Sequence, residues 1–235
     1  MTSYLQRLRR GDIGAAALIV AAGILVSRLL GIIRDMVFAG LLGSSGVTDE
    51  YVAAFRIPDY ANYLLAGGFL TITFIPIFSQ YLADDDEAGG WTGFTSILRW
   101  LSLGITAIIV VTIVIIAIVI AVPAGIISAT HTIIDALYPE FSDEQVASTI
   151  TLTRVVLPAQ FAFVVGALFA AVQYAKGSFA IPTLAPIVYN LGIISGGVAW
   201  AIATGEAAPD GFIWGALVGA FVGNFAIQIW GARRV

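Results

Sequence analysis

The amino-acid sequence predicts an all-α integral membrane protein, a bundle of six transmembrane helices. Three observations carry that prediction. Of 235 residues, 59% are hydrophobic and only 11% charged, with a mean hydropathy of +0.96; an average soluble domain has about 25% charged residues. The apolar residues gather in long continuous runs, not in alternating pieces of about ten residues, which selects helices over a β-barrel. Lysine and arginine cluster at one set of run ends and are missing from the other.

A helix crosses a bilayer with about 20 mostly apolar residues. The first run, 13–42, follows the basic segment "YLQRLRR". A signal peptide has a similar start, but here the apolar stretch continues past Arg28 to Leu42 without an A-x-A-like cleavage site, so it reads as a retained helix. The second run is 50–82, the third 97–127 ("ITAIIVVTIVIIAIVIAV" at its centre), the fourth 146–174, the fifth 181–204 and the sixth 211–231. No linker or composition shift divides them, so residues 1–235 are expected to form a single six-helix transmembrane lobe.

With six spans, Arg7, Arg9, Arg10, Arg99, Lys176, Arg233 and Arg234 fall on one side. The opposite loops, 43–49, 123–145 and 205–210, hold no lysine or arginine. The positive-inside rule then places both termini in the cytoplasm. The acidic run "ADDDE" at 83–87 also falls inside and reads as a solvated turn. In the longest outer loop, 126–137 reads as a short interfacial helix. "FSDEQVAS" offers an N-cap at Ser142 or Asp143.

Function classes are excluded by what the chain lacks. It has no cysteine, which removes disulfides and thiolate chemistry. Its one histidine, His131, cannot make a zinc site alone. No Walker A or H-E-x-x-H motif occurs, and no acid–base or nucleophile constellation suggests an enzyme. No cofactor, metal or nucleic-acid partner is expected.

The charges inside the spans carry the functional argument. Arg28, Arg34, Arg56 and Arg154 remain after loop residues are removed. A central arginine costs roughly 2.5–3.5 kcal/mol on insertion scales and usually faces a bundle interior or a watery cavity. Arg28 lies about 22 Å along its helix from residue 13, too deep to snorkel back. Asp35, seven residues on, returns to the same stripe, while Arg34 sits about 120° away, its depth depending on any bend at Gly31 or Gly40. In the second run Thr48 or Asp49 is placed to cap the helix. Pro58 predicts a kink beside Arg56, and Asp59 is three residues from Arg56, within pairing reach. Two uses stay open: charges that neutralise one another between helices, or a cationic cavity for an anionic group such as phosphate, which the planar arginine fork bonds bidentately. Gly67, Gly68 and Pro76 allow close approach or a hinge, Pro182 and Pro186 an irregular start to the fifth span, and Asn190 an interhelical hydrogen bond.

The stretch "SRLLGIIRDMVFAGLLGSSGVTDEYVAAFRIPDY" carries the pattern S-R-x-L-G-x-x-R-D, then G…T-D, then A-F-[KR]-[IL]-P; "GGFLTITFIPIFSQYL" and "GSFAIPTLAPIVYNLGII" follow in order. These segments resemble the signatures of the MurJ/MviN family, the lipid II flippases of bacterial peptidoglycan biosynthesis, within the MOP exporter superfamily. The resemblance implies one lobe of a two-lobed alternating-access transporter in the bacterial cytoplasmic membrane. Its substrate would be the undecaprenyl-diphosphate-linked muropeptide of cell-wall biogenesis, its coupling membrane potential or a cation gradient. It implies Arg28, Arg34, Arg56 and Asp49 as substrate-binding residues. Asp35, Asp59, Gly31, Pro58, Gly67, Gly68, Pro76 and Asn190 would serve structure and gating. A second lobe, in cis or in trans, is the expected partner, since the family has about fourteen spans. The chain departs from the family pattern at Asn62, where members often carry arginine, and in the "LAGGF" segment at Gly67, where they often carry A-E-G; the implied cavity is less charged. Another MOP-type exporter, for polysaccharide or MATE-like, and a non-transporting scaffold lobe are the alternative readings.

Overall fold

The computed structural model describes residues 10–43, 46–65, 73–121 and 138–235, and the described residues are helical with short turns. Four helices among them are long and apolar enough to cross a membrane, at Gly14–Leu42, Asp143–Ala175, Pro182–Thr204 and Pro209–Ala232.

Helix α1 (Arg10–Leu42) is unbroken through Gly31 and Gly40, so the bend considered from those glycines does not interrupt it. Its 33 residues extend about 50 Å, more than the roughly 30 Å of hydrocarbon. Helix α2 (Gly46–Leu65) begins before the expected cap. Thr48 lies inside it and donates its hydroxyl to the Gly43 carbonyl at 2.7 Å, closing the α1–α2 turn, while Asp49 sits in the first turn, where the macrodipole favours an acid. The second expected span is thus two described helices, α2 and α3 (Ile75–Ala83); the hinge candidates Gly67 and Gly68 lie between them, outside the described residues.

Helix α4 (Glu87–Ala121) begins ten residues before the expected third span. Asp86 accepts from the Gly89 N–H at 2.9 Å and caps it, so the acidic run holds a helix start as well as a turn. Thr92 and Thr95 donate their hydroxyls to the carbonyls of Ala88 and Trp91, which lets polar residues continue the helix. The proposed interfacial helix at 126–137 and His131 lie outside the described residues.

The fourth expected span is broken into α5 (Asp143–Val156) and α6 (Ala159–Ala175). Pro158 explains the break: it has no N–H, and its ring crowds the carbonyl four residues back. Ser142 caps α5 through a reciprocal box with Gln145, as the "FSDEQVAS" segment suggests. A 3₁₀ turn (Pro182–Leu184) precedes α7 (Ala185–Thr204), which is the irregular start expected from Pro182 and Pro186. Gly205, at φ 79°, ends α7 in the left-handed conformation that glycine adopts without strain. The sixth run folds as α8 (Pro209–Gly219), a π-helical turn (Ala220–Ala226) and α9 (Ile227–Ala232).

Packing explains why the last two runs are so rich in glycine. Gly192 and Gly196 on α7 meet Gly211, Gly215 and Gly219 on α8 so closely that a Cβ on Gly215 would lie 2.3 Å from the Gly192 carbonyl oxygen. Small residues at four-residue spacing let backbones approach in a medium with no hydrophobic drive between helices. One core cluster joins Phe38, Ala54, Leu152, Val156, Ile193 and Phe212; a second joins Phe74, Phe78, Phe94, Leu168 and Val172. Gln173 and Gln228, both buried, tie α6 to α9: the Gln173 amide donates to Gln228 Oε1 at 3.0 Å. At the end of the bundle where α6 stops, the Lys176 ammonium donates to Glu87 of α4 and to the Val235 carbonyl, and lies 5.4 Å from the Trp91 ring. The ends of α4, α6 and α9 therefore meet at one pole.

Candidate functional site

Helices α1 and α7 meet at Arg34, and α2 packs on α1 one turn further along, where Tyr51 meets Phe38. Arg34 Nε and Nη2 donate to Asp35 Oδ1 at 3.0 and 2.8 Å, and its Nη1 donates to Asn190 Oδ1 at 3.2 Å. Asn190 is 7% exposed and is itself fixed, donating to the Pro186 carbonyl at 2.9 Å and, at longer range, to the carbonyl and hydroxyl of Ser27. Ser27 and Arg34 are seven residues apart on one face of α1, so the same face meets α7 at both levels. Asn190 lies about 8 Å along α7 from Ala185. Two side-chain oxygens, one from Asp35 and one from Asn190, hold Arg34, whose side chain is 32% exposed. Three of the five guanidinium N–H groups are committed, and two remain for an incoming oxyanion.

Arg28 and Asp35 share the neighbouring stripe, as their spacing predicts, and both are exposed. Among the described residues Arg28 has no ion pair or hydrogen bond, so the geometry singles out Arg34, not Arg28, as the cross-helix arginine. Arg56 and Asp59 are exposed on α2, on either side of the buried Pro58. They feel each other's charge, but the pairing expected from their spacing is not a direct ion pair among the described residues. The α2 helix continues through Pro58. Asp49 is exposed in the first turn of α2, and its neighbour Glu50 is 8% exposed. Gly31 faces open space, with nothing within 4 Å of a built Cβ. Pro76 is exposed in the first turn of α3, away from the Arg34 cluster in sequence and in core.

Helices α1 and α2 carry three arginines (Arg28, Arg34, Arg56) and four acids (Asp35, Asp49, Glu50, Asp59). The charges on these two helices are thus mixed in sign. Two residues went unread in the sequence: Tyr51 on α2, whose ring lies 4.4 Å from that of Phe38, and Tyr189 on α7, 5.2 Å from Phe163. A hydroxyl-bearing ring inside an apolar span, next to Asn190 in one case and to Glu50 in the other, was the available signal.

Comparison with known proteins agrees with this architecture. The family described as lipid II flippase MurJ matches residues 38–234. A probable lipid II flippase MurJ of Bdellovibrio bacteriovorus is 30% identical over 214 residues, covering 88% of this chain and 37% of that protein. The lipid II flippase MurJ of Burkholderia cenocepacia is 27% identical over 225 residues, covering 94% of this chain and 40% of that one. A solved lipid II flippase MurJ in an inward closed conformation shares the fold, with a TM-score of 0.62 at 22% identity, over 88% of this chain and 41% of its own. The chain spans about two fifths of the length of these relatives. With the family matched across most of its residues, the chain belongs to the MurJ lipid II flippase family.

Proposed function

We propose that this chain is one lobe of a lipid II flippase, a transporter that moves the undecaprenyl-diphosphate-linked muropeptide from the inner to the outer leaflet by alternating access. The observation that carries the reading is Arg34, held between Asp35 and Asn190 within membrane-spanning helices and left with two free N–H donors. A guanidinium so oriented matches two phosphate oxygens at once. Arg28 and Arg56 add charge on the same pair of helices, with Asp49 at the start of α2 as a further substrate contact. Asp35, Asp59, Asn190, Gly31, Pro58, Gly67, Gly68 and Pro76 form the structural and gating set.

The lobe takes in residues 1–235 as six spans, counting α2 with α3 and α5 with α6 as one crossing each, with both termini in the cytoplasm of a bacterium. The meeting of α4, α6 and α9 at the Lys176 pole supports that count. Alternating access needs a second lobe to rock against, and membrane potential or a cation gradient would supply the drive.

The test is binding of undecaprenyl diphosphate and of uncharged undecaprenol by the purified protein. Arg34→Ala lowers affinity for the diphosphate at least tenfold, since a charge-assisted hydrogen bond contributes about 1.5–3 kcal/mol, and leaves undecaprenol binding unchanged. No loss, or an equal loss for both lipids, overturns the reading.

A further inference from the structure

The mixed charge of α1 and α2 raises a question of chemistry. A diphosphate carries several acceptor oxygens, and the two free N–H groups of Arg34 satisfy only some of them. On α1 and α2 four acids accompany three arginines, so the charge these helices add is not purely positive. Neutral hydroxyl donors serve the same oxygens without competing for the acids as counter-ions.

Tyr51 and Tyr189 are placed to be those donors. The Tyr51 ring packs at 4.4 Å on Phe38, which lies one helical turn beyond Arg34 on α1, and at 5.0 Å on Phe55. Tyr189 precedes Asn190, the residue that holds Arg34, and its ring meets Phe163 edge-on at 5.2 Å. Both rings pack against the same core cluster, yet both side chains are only part-buried. No described residue hydrogen-bonds either hydroxyl, and neither hydroxyl is among the sealed polar atoms that lack a partner. The rings are thus anchored by packing, on two helices other than that of Arg34, and no described residue holds their polar tips.

We infer that Tyr51 and Tyr189 are headgroup-positioning residues, donating their hydroxyl hydrogens to oxygens of the lipid-linked diphosphate that Arg34 engages. The inference rests on the flippase reading above. It assigns discrimination for a polyprenyl diphosphate to two phenols as well as to the arginines. Phenylalanine keeps the ring packing and removes only the donor, so the substitution isolates the hydroxyl.

The experiment compares Tyr51→Phe, Tyr189→Phe and the double variant with the parent protein. Affinities for undecaprenyl diphosphate and undecaprenol are measured, with inorganic diphosphate as a soluble competitor and melting temperature as the fold control. Each single variant is expected to lose about tenfold in diphosphate affinity, the scale of one hydrogen bond to a charged group. The double variant loses more, while undecaprenol affinity and melting stay at the parent's values. Phenylalanine variants that bind the diphosphate as the parent does, while Arg34→Ala does not, overturn the inference and leave the flippase reading standing. An equal loss for both lipids, or a lowered melting temperature, assigns the rings to packing and overturns it as well. Inorganic diphosphate competing as strongly as the lipid marks a site for a soluble anion and overturns it. A parent protein with no preference for the diphosphate removes both.

Discussion

Arg34 and Asn190 act as a pair, and the pair predicts non-additive effects. Removing Asn190 frees one N–H of Arg34 but loosens its aim; removing Arg34 leaves the Asn190 carbonyl oxygen without its donor from α1. A double-mutant cycle of Arg34→Ala and Asn190→Ala on diphosphate affinity is expected to show a coupling of about 1 kcal/mol, within the range for residues in one hydrogen-bond network. Strict additivity counts against the pairing. At the Lys176 pole, Glu87 lies outside the expected third span. Hydrogen bonds from Lys176, then from Trp91, hold its carboxyl below the ordinary carboxylate range. A carboxyl lowered in the folded state adds stability above its unfolded value and loses it as pH falls through the lowered one. The parent protein should therefore lose melting temperature on acidification below the usual carboxylate range more steeply than Glu87→Gln, measured in detergent across that window. Its exposure keeps the effect small. At this scale the sequence was partly legible. Spacing placed Arg28 with Asp35 and put Arg34 on another face, yet depth along α1 alone favoured Arg28. The Asn190 contact spans 156 residues of sequence, and no local spacing reveals it.

Elements were legible where composition speaks and obscure where packing does. Apolar runs located the helices, and "FSDEQ" gave the start of α5. The break at Pro158 has its cause in plain view, since proline cannot continue the hydrogen-bond ladder, but an apolar run hides it. The π turn at Ala220–Ala226 has no such local marker. Its geometry brings the Asn224 carbonyl oxygen within 1.5 Å of a Cβ built on Gly166, a backbone overlap that no rotamer relieves. Gly166→Ala should therefore destabilise the α6 contact by at least the roughly 1–3 kcal/mol typical of overpacking, read as a lowered melting temperature. Gly31→Ala provides the contrast. Nothing lies within 4 Å of its Cβ, and alanine favours helix by about 1 kcal/mol over glycine. It should keep or raise the melting temperature.

For the whole molecule, orientation follows from which pole faces the cytoplasm. The chain has no cysteine, so single cysteines are clean probes. Glu206 and Asp84 are exposed at opposite ends of helices. A membrane-impermeant maleimide applied to intact cells should label Glu206→Cys and spare Asp84→Cys; the reverse pattern would invert the assigned topology. The charge bias of the loops made this prediction possible, whereas the pole where α4, α6 and α9 meet needed three-dimensional packing to appear. The long reach from Arg34 to Asn190 also has a consequence for how the protein is made. Ribosomes add about 5–20 residues per second, so Asn190 emerges roughly 8 to 30 s after Arg34, given the 156 residues between them. Throughout that interval α1 must remain in or beside the bilayer without the Asn190 contact. Asp35, the next residue synthesised, is the partner already present, and its two contacts with Arg34 let the nascent helix carry its own counter-charge until α7 arrives.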